Sequence, residues 1–596
     1  MYSNKENVNI LTSLLVDHGV RHAVVCPGSR NAAIVNNLNE CKKITCYPVT
    51  DERSAGFQAM GLSMSVGYKP VVVCVTSGSA LLNLYPAVAE AYYQHIPLVV
   101  IAADRPAQWI DQLDGQTLPQ PDALGKMVRK AVSLPELLGG DDQEEIHWYC
   151  NRLVNEALLA CMGKGKGPVL INVPISEPFY EFPIKKLPKE RVIERKVLFE
   201  GVPDIGEFDS FWRKFKRPLL VVGQLGNDAN FEEIFQCCFD VPVLCEPLAM
   251  PAYITLGNIT DEMDQDLKLY ASFERMLDQV QDDKRYRPDL VIYVGGQIVS
   301  KRLKEYLRSL DDVCQVRFSE ETCLEDTFMH LSAIYEYPSH YVSILVDAMS
   351  QFHDFVPYRD LWMKALAESR TYTDGYAPAY SSMLAIKTFC DAFAETEEYL
   401  KWNEDLHEKY DSFGEEYVSG VVSSIFAGNS STVRLMNLFA DRRVYCNRGV
   451  NGIEGSLSTA VGFSMNKEEE KNVYCVLGDL SFFYDQNALW NQNLRGNLRI
   501  IVLNNGGGAI FGKFEGLKQS KARKNLVMAC HHVTAEGICL QNHVTYISAH
   551  NQKEMKKGIM QLLTEKSERP MLLEVFTDID KDNQVIEEYY NNQGDK

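Results

Sequence analysis

Residues Gly478-Asp479-Leu480-Ser481 and Asn504-Asn505-Gly506-Gly507-Gly508 carry the clearest chemistry in this sequence. Each set directly follows an apolar run, Asn472–Leu477 and Arg499–Leu503, that reads as a short buried strand. Strands joined by a crossover lie parallel, so both polar sets reach the carboxyl edge of one sheet, where open α/β sheets bind ligands. The crossover itself is predicted to be helical, with Leu480, Phe483, Leu489 and Leu494 as its apolar positions. A carboxylate, an amide oxygen and a nearby backbone carbonyl are hard oxygen donors that suit Mg²⁺, which completes its octahedron with water and phosphate oxygens. The Gly478 turn leaves N–H groups free at a helix start, and the glycine run lets backbone approach an anion closely. Taken alone, Gly-Asp and Asn-Asn read first as a helix-capping Asp and a turn-forming Asn pair. The ordered continuation from Gly478 through Ser481 to Asn505 and Gly507 shifts that reading to a cradle for a metal ion and a diphosphate.

Other short sets also end strands. Thr50-Asp51-Glu52-Arg53-Ser54-Ala55-Gly56-Phe57 opens a helix, and in isolation its acids are those a helix amino terminus favours. Pro27-Gly28-Ser29-Arg30-Asn31 is a strand–turn–helix with a basic residue at its mouth. Ala103-Asp104-Arg105-Pro106 places a second arginine on the same edge, with Gly115-Gln116 in the next loop. Ser300-Lys301-Arg302 follows Gly295-Gly296-Gln297, and a basic pair on a surface helix is ordinarily solvated. Ser430 and Arg434 in Gly428–Arg434, Arg448 in Asn447-Arg448-Gly449, and Ile453 in Gly452-Ile453-Glu454-Gly455 lie further on. Gly223-Gln224-Leu225-Gly226 lacks the third glycine and the ribose-binding acid of a dinucleotide loop, and reads as a tight turn. Cys530-His531-His532 with Cys539 lacks a standard zinc spacing.

The elements that must position these residues alternate regularly. Val24–Cys26, Ile44–Cys46, Val71–Val75, Leu98–Ile101 and Val169–Ile171 are apolar strands separated by helices, the pattern of a doubly wound parallel sheet. A charged, Pro-containing connector over Phe179–Gly201 marks a boundary. Leu219–Gly223 and Leu290–Gly295 are central strands of a second α/β unit, and a mostly helical stretch from Ser350 leads to a third. Asn466–Lys471 reads as a solvated charge run and Asn591–Lys596 as a frayed tail. At 596 residues the chain exceeds a single core. Its formal charge of −20 argues against nucleic acid and anionic membrane as partners, and makes isolated arginines at strand ends informative. No apolar run approaches the roughly twenty residues of a membrane span. The amino-terminal residues show no signal-peptide pattern, and the sixteen cysteines have no framework spacing, so a reduced, cytoplasmic setting is expected.

Gly-Asp-X followed across the next strand by Asn-Asn is the thiamin diphosphate motif of the thiamin-dependent decarboxylase and carboligase superfamily, which this chain resembles over essentially its whole length. Many members have Gly at the third position. Leu480, with Tyr484-Asp485-Gln486-Asn487-Ala488-Leu489 following, is similar to one branch, the 2-succinyl-5-enolpyruvyl-6-hydroxy-3-cyclohexene-1-carboxylate synthases of menaquinone biosynthesis. The resemblance implies an α/β fold of three doubly wound parallel-sheet domains: pyrimidine-binding over 1–185, central over 200–350, and diphosphate-binding over 375–585. It implies that Asp479, Asn505 and the carbonyl of Gly507 hold Mg²⁺ or Mn²⁺, with Gly478, Leu480 and Ser481 at the cofactor. Ile453 would be the apolar wedge that bends thiamin and brings its pyrimidine amine near C2. Glu52, in apolar surroundings, would hydrogen-bond the pyrimidine N1′ as an indirect acid/base catalyst.

Ser29, Arg30, Arg105, Gln116, Lys301, Arg302, Ser430, Arg434 and Arg448 would recognise substrate carboxylates, although Gly115 stands where the family often has Asn. The implied reaction decarboxylates 2-oxoglutarate and adds the succinyl-semialdehyde carbanion to isochorismate. Both substrates are dianions, which suits that many basic groups in an acidic chain. The resemblance further implies a homodimer or homotetramer with sites shared between subunits. The alternatives are an acetohydroxyacid synthase or oxalyl-type decarboxylase, and a non-catalytic scaffold; the intact Glu52, Asp479 and Asn505 argue against the scaffold.

Overall fold

The computed structural model describes residues 1–137, 143–196, 213–226, 240–250, 268–319, 324–336, 341–403, 408–410, 416–418, 423–466, 471–513 and 515–591. Most of the expected charge run, the end of the Phe179–Gly201 connector and the polar tail beyond 591 lie outside the described residues. The chain forms two compact units, one from Met1–Glu200, Asn447–Glu469 and Tyr484–Leu498, the other from Gly201–Cys446, Glu470–Phe483 and Arg499–Lys596.

The first unit holds a six-stranded sheet of β1 (His22–Val25), β2 (Thr45–Pro48), β3 (Val71–Val75), β4 (Leu98–Asp104), β5 (Lys130–Ser133) and β6 (Val169–Pro174), in the order β2-β1-β3-β4-β6-β5. All its pairings are parallel, with Val24 opposite Val73 and Val73 opposite Val100. Every residue of β3 and β4 is buried, as expected of strands covered on both faces, which is why they read as unbroken apolar runs. β5 escapes such a reading because Lys130 and Ser133 interrupt it. The strand order reverses between β1 and β3. A side chain at Gly28, after β1, would meet Thr76 Cβ, after β3, at 2.4 Å, so only glycine lets the two loops meet there. The Glu52–Ser65 helix follows β2, and Asp51 caps it by accepting from the Ser54 N–H at 3.0 Å. This helix packs against the Ser456–Ser464 helix of the same unit.

The second unit holds two sheets. One contains β7 (Pro218–Val222), β8 (Val243–Cys245), β9 (Leu290–Val294), β10 (Cys314–Phe318) and β11 (Leu331–Tyr335), ordered β11-β10-β9-β7-β8. Its core includes the fully buried Trp362, edge-on to Tyr286, Tyr306 and Tyr358. A short antiparallel pair, β12 (Glu408–Tyr410) and β13 (Glu416–Val418), precedes the last sheet. That sheet contains β14 (Ser424–Ala427), β15 (Val444–Tyr445), β16 (Val473–Gly478), β17 (Leu498–Asn504), β18 (Thr545–Ala549) and β19 (Met571–Phe576), ordered β15-β14-β16-β17-β19-β18. Three sheets of parallel strands with interleaved helices make this the expected α/β class.

The connection from β16 to β17 differs from the expected helix. A short helix, Asp479–Tyr484, stops at Asp485, and a 3₁₀ turn spans Gln486–Leu489. Asp485 is fully buried and accepts from both the N–H and the hydroxyl of Ser458 at 2.7 Å, capping the Ser456–Ser464 helix. That tertiary contact overrides the apolar spacing that suggested a longer helix.

Candidate active site

In the last sheet the order reverses between β14 and β16, so the loops after these strands flank the crevice where such sheets bind ligands. Asp479 leaves β16 and is buried. One carboxylate oxygen accepts from the Leu480 N–H at 2.7 Å, the other from the N–H groups of Gly506 and Gly507 at 2.8 and 2.9 Å. The two sequence-distant motifs are thus joined through this carboxylate. Gly506 and Gly507 have φ of 79° and 152°, and a side chain at Gly507 would meet the Met528 carbonyl at 2.8 Å, so the turn needs glycine at both positions. Burial pushes the Asp479 carboxyl above its usual value, against the Leu480 N–H, His531 and the two glycine N–H groups, which pull it down.

Asn504 and Asn505 divide the work of the pair. Asn504 is structural: its amide nitrogen donates to Glu574 at 2.7 Å and to the Val533 carbonyl at 2.9 Å, while its oxygen accepts from Gly506. Asn505 donates to Asp582 at 2.8 Å, and its side-chain oxygen is buried with no hydrogen-bond partner. An orphaned buried amide oxygen costs free energy unless something binds it. A hard cation at that oxygen, at Asp479 and at the Gly507 carbonyl fits the donor set. The Gly507 carbonyl also accepts from the Ala509 N–H at 3.1 Å. Ser481 is buried and Leu480 half-buried beside Asp479.

The sequence singled out His531 only as a candidate zinc ligand, and not as a neighbour of Asp479. Its Nε2 lies 3.3 Å from Asp479, and its ring stands edge-on to Phe483 at 5.3 Å. Among the described residues no three His, Cys, Asp or Glu side chains converge as a metal-holding group, so Cys530-His531-His532 forms no zinc cluster there. Ser430 heads the Ser431–Phe439 helix with φ of 73°, and Arg434 lies in its first turn, half-buried. Lys301 and Arg302 open the Lys301–Arg308 helix. Lys301 is exposed, whereas Arg302 pairs with Asp278 at 2.9 Å and lies over the Tyr590 ring at 3.7 Å. Gly223–Gly226 is locked to the neighbouring Gly295–Gln297 loop: Gly296 N–H donates to Gln224 at 2.7 Å and Gln224 N–H to Gln297 at 3.1 Å.

In the first unit, Glu52 begins its helix partly exposed, and Asn83 approaches its Oε2 at 3.4 Å. Arg30 is buried, donates to the Ile175 carbonyl at 2.8 Å and lies over Phe179. Burial lowers its pKa, and the neighbouring Arg105 cation lowers it further. Arg105 pairs with Asp114 at 3.1 Å and reaches the Gly115 carbonyl at 3.2 Å. Ser29 and Gln116 are exposed, Gln116 with φ of 56°. Arg448 is buried, and Ile453 is exposed ahead of the Ser456–Ser464 helix. Sequence reading also missed Glu90. This buried carboxylate accepts from the N–H groups of Gly449 and Val450 at 2.5 and 2.7 Å, fixing the turn just after Arg448. Lying inside an apolar helix, Glu90 gave no motif to find.

A buried carboxylate at a sheet's switch point, with an orphaned amide oxygen and a glycine turn after the neighbouring strand, is a donor set that fits a metal–diphosphate group. Residues 6–125 match the thiamine pyrophosphate enzyme N-terminal TPP binding domain and residues 427–575 the corresponding C-terminal TPP binding domain, so the chain is a thiamin diphosphate enzyme. It is 41% identical to a 2-succinyl-5-enolpyruvyl-6-hydroxy-3-cyclohexene-1-carboxylate synthase of Phocaeicola vulgatus, with 99% of each chain covered. It is 38% identical to one of Bacteroides thetaiotaomicron over 99% of each, and 32% identical to one of Desulfotalea psychrophila over 96% of this chain and 98% of that one. The chain belongs to the 2-succinyl-5-enolpyruvyl-6-hydroxy-3-cyclohexene-1-carboxylate synthase family.

Proposed function

We propose that this chain carries out the reaction its relatives are named for: decarboxylation of 2-oxoglutarate and addition of the resulting four-carbon unit to isochorismate, in menaquinone biosynthesis, in the cytoplasm. The orphaned Asn505 oxygen near Asp479 supports the cofactor part of this reading, because a bound cation there would satisfy it. Asp479, Asn505 and the Gly507 carbonyl hold Mg²⁺ or Mn²⁺, and Gly478, Leu480 and Ser481 meet the diphosphate. When bound, thiamin diphosphate supplies the electron sink for losing CO₂. The protein's part is positional and electrostatic. Glu52 would hold a proton at the pyrimidine nitrogen, Ile453 would pack against the cofactor as an apolar support, and Ser29, Arg30, Arg105, Gln116, Lys301, Arg302, Ser430, Arg434 and Arg448 would orient two dianionic substrates. The three domains run over 1–185, 200–350 and 375–585 in this reading.

We also place each site between two subunits of a homodimer, which can pair further into a tetramer. Glu52 is partly open in a single chain, and the Asn83 that approaches it lies between exposed Leu82 and Tyr85; Tyr93, Val450 and Ile453 are exposed in the same unit. Exposed apolar side chains in such number suit a covered face. Two experiments test this. CO₂ release should depend on 2-oxoglutarate; release from pyruvate alone would select a pyruvate-type carboligase instead. In a purified, doubly tagged mixed dimer of Glu52→Gln and Asp479→Ala chains, one site carries both changes and the other neither, so about half of wild-type activity should return per dimer. A mixed dimer with no activity would refute the shared site.

A further inference from the structure

Glu246 follows β8 and is 1% exposed. Three donors converge on it. The Val299 and Ser300 N–H groups each donate at 2.7 Å, one to each carboxylate oxygen, and the Asn437 side chain donates at 3.1 Å. Ser300 is the residue that starts the Lys301–Arg308 helix, accepting from the Leu303 N–H at 3.0 Å. Asn437 lies one turn beyond Arg434 on the Ser431–Phe439 helix. A single buried carboxylate therefore binds the backbone just ahead of Lys301 and Arg302 to the helix that carries Arg434. The arrangement also answers an electrostatic cost. Two cations in the first turn of a helix oppose its dipole, whereas a carboxylate at that end favours it. The first turn of Lys301–Arg308 has no acid of its own, and Glu246 supplies one from another strand.

We propose that Glu246 is a positioning residue for substrate binding, fixing the Lys301–Arg302 turn against the Arg434 helix so that cations from two sheets meet one dianionic substrate. The proposal rests on the reading of Lys301 and Arg434 as substrate ligands. In Glu246→Gln, one oxygen becomes an NH₂ that faces an N–H donor, so the turn is released on one side while the side-chain shape is kept. Steady-state kinetics of the full-length holoenzyme with 2-oxoglutarate and isochorismate varied separately should show KM for at least one of them up about tenfold, the scale of one charged hydrogen bond. Turnover should stay within about twofold and thiamin diphosphate affinity should not change, because the release is confined to that turn.

In a Lys301→Ala background, Glu246→Gln should add less than about twofold, since its effect runs through that turn. Full multiplication of the two effects, or a loss of turnover with KM unchanged, overturns the proposal. If Lys301→Ala raises KM and Glu246→Gln does not, the proposal alone fails. If Lys301→Ala leaves both KM values at wild type, the reading of Lys301 fails and the proposal falls with it. Should Glu246→Gln not fold, Asn437→Ala removes only the helix-side donor, and should raise KM about threefold alone and not at all in an Arg434→Ala background. An unchanged KM in Asn437→Ala would then overturn it.

Discussion

A methyl group added at Gly61 would lie 1.9 Å from the Thr459 carbonyl oxygen and 2.8 Å from the Phe463 nitrogen. One added at Gly462 would lie 2.0 Å from the Gln58 carbonyl oxygen and 2.5 Å from its Cα. The obstructing atoms are backbone, so no rotamer change relieves either clash. Ordinary contact for such a carbon begins at 3.4 Å, so the Glu52–Ser65 and Ser456–Ser464 helices must part by about 1.5 Å. Overpacking of a core costs about 1–3 kcal/mol and more when neighbours cannot yield, which places Gly61→Ala at about 3 kcal/mol. Local opening of the helix pair should then rise about a hundredfold. Amide hydrogen exchange over the two helices is the suitable assay, because a chain of this size need not unfold in one step. Activity should fall with it, since Glu52 heads the displaced helix. The double variant should cost less than the sum of the singles, because the parted helices already accommodate the second methyl. Gly537→Ala is the control: it lies in the Glu536–Gln541 helix with open space around it, and should be neutral or stabilising by up to about 1 kcal/mol. Wild-type exchange and activity in Gly61→Ala would refute the close crossing.

Glu52→Gln keeps shape without a transferable proton and should lower activity by about 10²–10⁴ with thiamin diphosphate still bound; wild-type exchange of the cofactor C2 proton by NMR would contradict its role. Asp479→Ala should weaken cofactor binding and raise its Mg²⁺ requirement, seen by calorimetry at graded Mg²⁺, and unchanged binding would remove Asp479 from the cradle. Asn505→Leu should lose metal-dependent cofactor binding while leaving the metal-free fold within about 1 kcal/mol, because it forfeits one hydrogen bond to Asp582 and removes an unsatisfied oxygen. Burial holds the Glu274 carboxyl up to about 7, with nearby Glu246 also raising it, against the Ser300 hydrogen bond and Arg302, which lower it. Its contribution to stability is therefore full below the ordinary value near 4.5 and lost as pH rises through 7, a loss of about 3 kcal/mol. Glu274→Gln should accordingly gain on wild type in urea midpoint between pH 5 and pH 8, and parallel pH profiles would contradict the burial.

What the sequence disclosed and what it hid divide along a physical line. Residues 71–75 and 98–101 were legible as strands because burial on both faces leaves apolar runs, and Asp479 and Asn505 stood out because each polar set directly ends such a run. β5 was hidden by its polar residues, and the short Asp479–Tyr484 helix by Asp485, whose partner Ser458 is distant in sequence. Glu90, Glu246 and the approach of His531 to Asp479 were illegible for the same reason. Their work lies in holding turns or facing a carboxylate across the fold, and a lone acid or histidine carries no local signature of a tertiary partner. Glu246 comes nearest to one, an acid directly after the apolar Val241–Cys245 run, at the edge where ligands bind.

The reaction is tested most directly by the mass of the product that the purified protein forms from 2-oxoglutarate and isochorismate with thiamin diphosphate and Mg²⁺. One new species is expected, equal in mass to the sum of the two substrates less CO₂, absent when either substrate is withheld and formed at least about a hundredfold more slowly by the Glu52→Gln variant. Consumption of 2-oxoglutarate to free succinic semialdehyde with isochorismate untouched, or a coupled product from pyruvate in its place, would contradict it.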